Sequence, residues 1–303
     1  MVTTSTHDTK RSEDVRARIC LLSEMPREWR AVVVRWSARN AKHRRGDWPD
    51  RNLEYFYYQT LVGAWPLPLD RALSYMEKAA REAKQHTSWI RPDAEYDSAL
   101  RSFVTGTLSD DGFLTDLEQF VARLAEPAWI NSLAQTLLRL TTPGVPDTYQ
   151  GNELWDRSLV DPDNRRAVDF ALRQQLLETM RSMSVDEVWQ RREEGLPKLW
   201  LIWKTLRFRH QHPGLFGSDG TYEPLHAQGA KARHVLAFAR GGGAVVVVPR
   251  LMIRRGKDWA DTSLRLPLGN WANELTGEAV GSDAIPISQL LARFPVALLS
   301  RTV

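Results

Sequence analysis

The sequence holds a single cysteine, Cys20, among 303 residues. One thiol cannot close an internal disulfide and excludes zinc sites built from several thiolates, which fits a reducing compartment. Also lacking is any run near the roughly 18 apolar residues that a membrane span requires, and Met1 to Thr9 shows no basic stretch followed by an apolar one. These absences predict a cytoplasmic chain with no membrane partner. Charge of one sign is scarce as well: 41 Lys+Arg against 37 Asp+Glu leave +4. The basic residues are spread among acids rather than gathered in an arm or stripe, so no nucleic-acid footprint is visible. There is no internal repeat and no low-complexity tract.

What is present is enough apolar material, 43% of the residues, for a sizeable core, and a length that suggests two domains. Twelve tryptophans stand out. Flat apolar rings with one polar edge suit stacking on sugars, and core packing is the competing use.

The β-branched run "VTTST", Val2 to Thr6, reads as the end of a strand. Ser12 can then cap a helix with Glu13 and Asp14 in its first turn and Val15, Ile19 and Leu22 at spacings of four and three. From Glu28 to about Leu140 the pattern is mostly helical, with proline-bearing turns at "RGDWPD", "AWPLPLD" and "IRPDAEYD". The helix "AWINSLAQTLLRL" is stopped by Pro143 and Gly144, and "VPDTY" reads as a second, buried strand leading into a polar loop from Gln150 to Arg166. A further helix is expected over Pro197 to His212. After Gly217 the texture turns to strands: "ARHVLAFAR" and "AVVVVPRL" flank Gly241 to Gly243 as a hairpin, "TSLRLPL" alternates, and "AIPISQLLARFPVALLS" could close the same sheet. The expected fold is α/β: the last two βα units of a TIM barrel, with a large helical insertion at about 28–140, then a small antiparallel β domain. The domains are drawn at 1–216 and 217–303.

Asp8 is the first candidate for chemistry, because a carboxylate just after a barrel-type strand faces the side where such folds place their active sites. An aspartate there also serves as a loop cap. His7 beside it lacks neighbours at a familiar metal-ligand spacing, so no metal is expected. Lys10 and Arg11 could hold a polar substrate or lie on the solvated start of a helix. The second cluster is "YQGNELWDRSLVDPDNRR", in which Tyr149, Gln150, Glu153 and Trp155 mix aromatic faces with polar groups, as a carbohydrate cleft does and as a salt-bridged surface loop also does.

The segments "STHDTKRSEDVRARI" and "PGVPDTYQGNELWDRSLVDPDNRR" resemble two signature segments of the maltooligosyltrehalose synthases, a family of the α-amylase superfamily. "YFYYQTLVGAWPL", "KAAREAKQHTSWIRPDAEYD" and "FPVALLS" extend the resemblance, in order, over essentially the whole chain. It implies a glucosylmutase that turns the reducing-end α-1,4 linkage of a maltooligosaccharide into an α,α-1,1 linkage without a cofactor. On that resemblance Asp8 would stabilise the oxocarbenium-like transition state and His7 would bond the sugar in the cleaved subsite. Lys10 would sit near the released glucose, with Arg11 beside it, and Tyr149, Gln150, Glu153 and Trp155 would line the cleft.

No segment here resembles those that carry the family's nucleophilic aspartate and acid/base glutamate, and Ala167 stands where proline is expected. The expectation is a C-terminal piece of a larger barrel enzyme, partnered by the N-terminal half, inactive alone and prone to associate through uncovered apolar faces. The rival readings are a non-catalytic α-glucan-binding or scaffolding protein and a fragment of another glycosidase of the superfamily.

Overall fold

The structure, a computed structural model, describes residues 1–281 and 283–302. Ser282 and Val303, both inside the stretch assigned to the β domain, lie outside the described residues. The chain forms two units: a helical one of His7–Glu126 with Arg157–Arg166, and a mixed one of Met1–Thr6, Pro127–Asp156 and the chain from Ala167 onward.

The helical unit is built as the apolar spacing predicts, from α1 (Glu13–Cys20), α2 (Pro26–Asn40), α3 (Arg51–Ala64), α4 (Leu69–Ala83), α5 (Ala94–Leu108) and the first half of α6 (Asp111–Thr141). α4 shows the logic plainly: Ala72, Tyr75, Met76 and Ala80 form its buried stripe. The starts of α3 and α5 are fixed by Asp50, which accepts from the Asn52 and Leu53 amides, and by Asp93, which accepts from the Tyr96 amide.

At the centre lies Trp36, with Trp29, Tyr58 and Phe113 meeting it edge-on at 5.9, 5.5 and 5.5 Å. Its indole N–H donates to Asp116 Oδ2 at 2.9 Å, so the burial of the ring leaves no orphaned donor. α1 and α3 cross at Gly63, where a Cβ would stand 2.7 Å from Val15 Cγ1 and 2.8 Å from Ile19 Cδ1. One turn on, the buried Arg18 donates to the Val62, Gly63 and Trp65 carbonyls and so satisfies the end of α3. Burial, reinforced by Arg157 and opposed by Asp14, draws its guanidinium down to about 9, still charged at neutral pH.

The mixed unit takes the rest of α6, α7 (Phe170–Met180), α8 (Val185–Gln190), α9 (Leu196–Gln211) and all the strands. β1 (Tyr222–Leu225), β2 (Val235–Arg240), β3 (Ala244–Pro249), β5 (Asn270–Asn273), β6 (Ala279–Val280) and β8 (Ala297–Thr302) form an antiparallel sheet in the order β1-β2-β3-β8-β5-β6. β2 and β3 are joined at Gly241–Gly243, where φ of +55° and +67° at the first two positions suits glycine. The sheet is covered on both faces. Val246 and Val248 pack with Phe294, Trp200 and Phe208, while Val245 and Val247 pack with Trp271, Leu264 and Ile285. This explains why β3 reads as an unbroken valine run rather than an alternation.

The structure differs from the sequence reading at three strands. Val2–Thr6 and "VPDTY" form no strand; they meet at one parallel bridge, with Val2 N–H donating to the Val145 carbonyl at 2.7 Å and Asp147 N–H to the Val2 carbonyl at 2.8 Å. Two such segments share too few backbone bonds to make a ladder, and Val145 is exposed rather than buried. The third difference is that "AIPISQLLARFPVALLS" is divided. β8 inserts between β3 and β5, whereas β7 (Ala284–Pro286) pairs with β4 (Ser263–Arg265) in a separate two-stranded sheet.

The loop Arg157–Arg166 is held in the helical unit by side chains far away in sequence. Arg71 of α4 grips both oxygens of Asp163 at 2.8 Å and also donates to the Arg157 carbonyl. Lys78 donates to the Asp161 carbonyl at 2.5 Å. Asp163 Oδ2 in turn accepts from the Leu159 amide at 2.7 Å. Burial alone would raise the Asp163 carboxyl; Arg71 and the Leu159 amide outweigh it and hold it below the usual aspartate range.

Two measurements test this packing. Gly63→Val destabilises the chain by about 1–3 kcal/mol in urea denaturation, because the Val15 and Ile19 side chains must move; an unchanged midpoint would contradict the close crossing. A carboxyl with a depressed pKa contributes stability that is present at neutral pH and lost on acidification through its folded value. Amide exchange at Leu159 therefore accelerates below the usual aspartate range in the wild type. In Asp163→Ala it is about tenfold faster already at neutral pH.

Candidate carbohydrate site

The residues singled out in the sequence fall in both units. His7, Asp8, Lys10 and Arg11 belong to the helical unit and share it with the loop Arg157–Arg166; Tyr149, Gln150, Glu153 and Trp155 belong to the mixed unit. The polar loop from Gln150 to Arg166 is divided between them after Asp156.

In the helical unit the segment from His7 to Ser12 is fastened at both ends. The Asn164 side-chain amide donates to the His7 carbonyl at 2.9 Å, while Arg11 bridges Leu159 and the Ser12 amide donates to the Ser158 carbonyl at 3.0 Å. Between these anchors His7 Nε2 stands 3.4 Å from Asp8 Oδ2, and the aspartate side chain is 85% exposed. Lys10 Nζ is 3.2 Å from Glu82 Oε2, at a cavity of about 390 Å³ whose walls include Phe56, Tyr75, Lys78 and Val160. Phe56 and Tyr75 stack at 5.8 Å and 17°. Burial raises the Tyr75 phenol above its usual value against the pull of Arg11 and Lys10, so its hydroxyl remains a donor. A paired aromatic floor with a cation and a carboxylate at the rim is able to hold a polyhydroxylated ring.

Arg11 points into packing rather than outward: its guanidinium donates to Thr60 Oγ1 at 3.0 Å and lies 4.6 Å from the Phe56 ring centre. It shapes the wall on which a ligand would rest.

In the mixed unit, Arg139 of α6 donates to the Asp147 carbonyl and to Thr148 Oγ1, setting the approach to Tyr149. Tyr149 is half-buried and Gln150 is exposed on the following turn. Glu153 pairs with Arg173 at 2.9 Å, and the same arginine donates to the Gly151 and Asp169 carbonyls. Trp155 stacks on Trp129 at 6.4 Å and 14°, and its indole N–H donates to the Arg192 carbonyl at 2.6 Å. Glu153 and Trp155 are thus engaged in holding the fold. The residues that sequence reasoning missed are Phe56, Arg71, Tyr75 and Lys78. Phe56 and Lys78 lie within two of the segments that carry the family resemblance, but nothing in the local pattern marks them as facing Lys10.

No family model matches the chain. Its sequence is 40% identical, over 99% of its length, to a Mycobacterium tuberculosis protein assigned as a maltooligosyl trehalose synthase, of which it spans 37%. Among solved structures it matches the maltooligosyltrehalose synthase of Arthrobacter ramosus with a TM-score of 0.88 at 40% identity, covering 99% of this chain and 38% of that one. It also matches a hypothetical maltooligosyl trehalose synthase from Sulfolobus tokodaii with a TM-score of 0.76 at 28% identity, covering 98% and 38%. The chain thus spans less than two fifths of the relatives it matches. Over nearly its whole length it is similar to maltooligosyl trehalose synthases and matches a C-terminal portion of those proteins.

Proposed function

We propose that the chain supplies the C-terminal part of a maltooligosyltrehalose synthase, which transfers the reducing-end glucose of a maltooligosaccharide from an α-1,4 to an α,α-1,1 linkage. The observation that carries this is the segment His7–Arg11: an exposed carboxylate with a histidine at 3.4 Å, held at both ends and followed by a lysine on an aromatic-floored cavity. The 40% identity to synthases over nearly the whole chain supports it.

In this reading residues 1–216 complete a (β/α)₈ barrel with its helical insertion, and 217–303 form its β domain. The parallel register of Val2 and Pro146 is the one that neighbouring barrel strands would have. Asp8 stabilises the positive charge that develops on the anomeric carbon. His7 bonds the sugar being cleaved, and Lys10 holds the glucose while it turns over. Tyr149 and Gln150 offer hydrogen bonds to the glucan. Arg11, Glu153 and Trp155 act by positioning their neighbours.

Retaining glycosyl transfer needs a carboxylate nucleophile, which attacks the anomeric carbon and displaces the glycosidic oxygen, and an acid/base group, which protonates that oxygen as it leaves and later deprotonates the acceptor. The acceptor here is the anomeric hydroxyl of the released glucose rather than water. The proposal takes both groups from the rest of the synthase, and the sequence of steps calls for no cofactor.

The purified chain incubated with maltopentaose should yield no non-reducing product. Fused to the preceding portion of the Arthrobacter ramosus enzyme it should yield one, and Asp8→Asn in that fusion should lower kcat about 100-fold or more, as loss of a transition-state charge partner does elsewhere. Turnover by the chain alone, or a fully active Asp8→Asn fusion, would refute the assignment.

A further inference from the structure

Lys10 is held at both ends of its side chain, and the group that holds the far end is Glu82. At the near end the Lys10 carbonyl accepts from the Tyr75 hydroxyl at 3.5 Å, within the segment anchored by Ser158 and Asn164. At the far end Glu82 Oε2 accepts from Lys10 Nζ at 3.2 Å. The other oxygen, Oε1, faces Lys78 Nζ at 3.8 Å, and that ammonium donates to the Asp161 carbonyl at 2.5 Å. A chain of contacts thus runs from the loop through Lys78 and Glu82 to the tip of Lys10, along one cavity wall.

The folding of α4 does not account for an acid at this position. Glu82 is the last residue but one of the helix, where the unpaired carbonyls carry partial negative charge and favour a cation. Its pairing with Lys78 runs lysine before glutamate, the less favourable order at a spacing of four. The pair with Lys10 joins two accessible side chains, 68% and 39% exposed, and such pairs add little to stability. What the carboxylate does instead is restrict a flexible four-carbon stem, whose ammonium would otherwise turn freely in water.

We propose that Glu82 is a positioning residue, which acts through Lys10 to decide the fate of the released glucose. The inference rests on the proposed function, in which Lys10 holds that glucose. After the first displacement the shortened glycan is joined to the nucleophilic carboxylate, and two acceptors compete for its anomeric carbon. Attack by the anomeric hydroxyl of the glucose breaks the bond to the carboxylate, passes the hydroxyl proton to the acid/base group and forms the α,α-1,1 linkage. Attack by water breaks the same bond, passes its proton to the same group and leaves a shortened maltooligosaccharide beside free glucose. An ammonium held in place keeps the glucose near the carbon; a loose one lets it leave and water enter.

The fusion to the preceding portion of the Arthrobacter ramosus enzyme, supplied with maltopentaose, tests this through the ratio of free glucose to non-reducing product. The proteins compared are the wild-type fusion, Glu82→Ala, Lys10→Met and the double variant. Alanine suits the end of a helix, and a folding defect lowers both products together without moving their ratio. Glu82→Ala is expected to raise the ratio at least fivefold and Lys10→Met at least as much. The double variant should stay within twofold of Lys10→Met, because without the ammonium the carboxylate has nothing to position. An unchanged ratio in Glu82→Ala beside a raised one in Lys10→Met overturns the role of Glu82 alone. So does a double variant well above Lys10→Met, which would mean that Glu82 acts on its own. An unchanged ratio in Lys10→Met, or a wild-type fusion that forms no non-reducing product, overturns the part of Lys10 in the proposed function and that of Glu82 with it.

Discussion

Two hydrogen bonds of 2.8 Å between the Arg71 guanidinium and the Asp163 carboxylate fix the position of a loop more than ninety residues away in sequence. Partly buried charge pairs stabilise only when both ions are fully hydrogen-bonded, and here the carboxylate also takes the Leu159 amide while the arginine reaches the Arg157 carbonyl. The planar fork matters, because a lysine at position 71 could not hold both oxygens in one orientation. Once the loop is set, Leu159 and Ser158 seat the backbone at Arg11 and Ser12, and Asn164 seats it at His7. Asp8, Thr9 and Lys10 form a short arc between fixed ends. A charged group placed this way loses little conformational freedom when it meets a ligand, which is the condition for useful positioning.

The aromatic excess serves packing more than display. Trp36 and Trp271 are enclosed, Trp200 donates to the Leu275 carbonyl inside the mixed unit, and Trp155 stacks on Trp129 and donates to the Arg192 carbonyl. The apolar platform beside Lys10 comes instead from Phe56 and Tyr75, one from each of two helices. Trp89, which remains exposed, lies under the Arg81 guanidinium at 4.9 Å.

A helix such as α4 was legible because it is amphipathic on its own: the stripe Ala72, Tyr75, Met76 and Ala80 needs no knowledge of its partner. The β2–β3 hairpin was legible for a similar reason, since three glycines between two largely apolar runs specify it locally. The insertion of β8 between β3 and β5 was not, because sheet order is set by which faces remain to be covered after folding, and Leu298 and Leu299 carry no mark of their neighbours. The same holds at the site. His7, Asp8 and Lys10 announce themselves by adjacency, whereas Phe56, Arg71 and Lys78 reach them only through long-range packing of α3 and α4. Arg11 looked like a ligand contact because exposure cannot be told from sequence; its contacts with Phe56 and Thr60 make it part of the wall.

The exposure of Asp8 bears directly on what this carboxylate can do. Two unit charges 4 Å apart attract by about 1 kcal/mol in water and by about 4 kcal/mol at the effective dielectric of a partly covered protein site. With its side chain 85% exposed, Asp8 sits at the weak end of that range toward any positive charge developing nearby. Covering it strengthens that attraction, provided that hydrogen-bond partners replace the water the carboxylate loses. On the proposed reading a bound sugar would supply part of that cover, and the Phe56–Tyr75 pair would not supply the rest, since the cavity it lines includes Lys10 and not Asp8. On the proposed reading, then, the fixed arc contributes the place of the charge, and its strength comes from whatever polypeptide closes over the glucan.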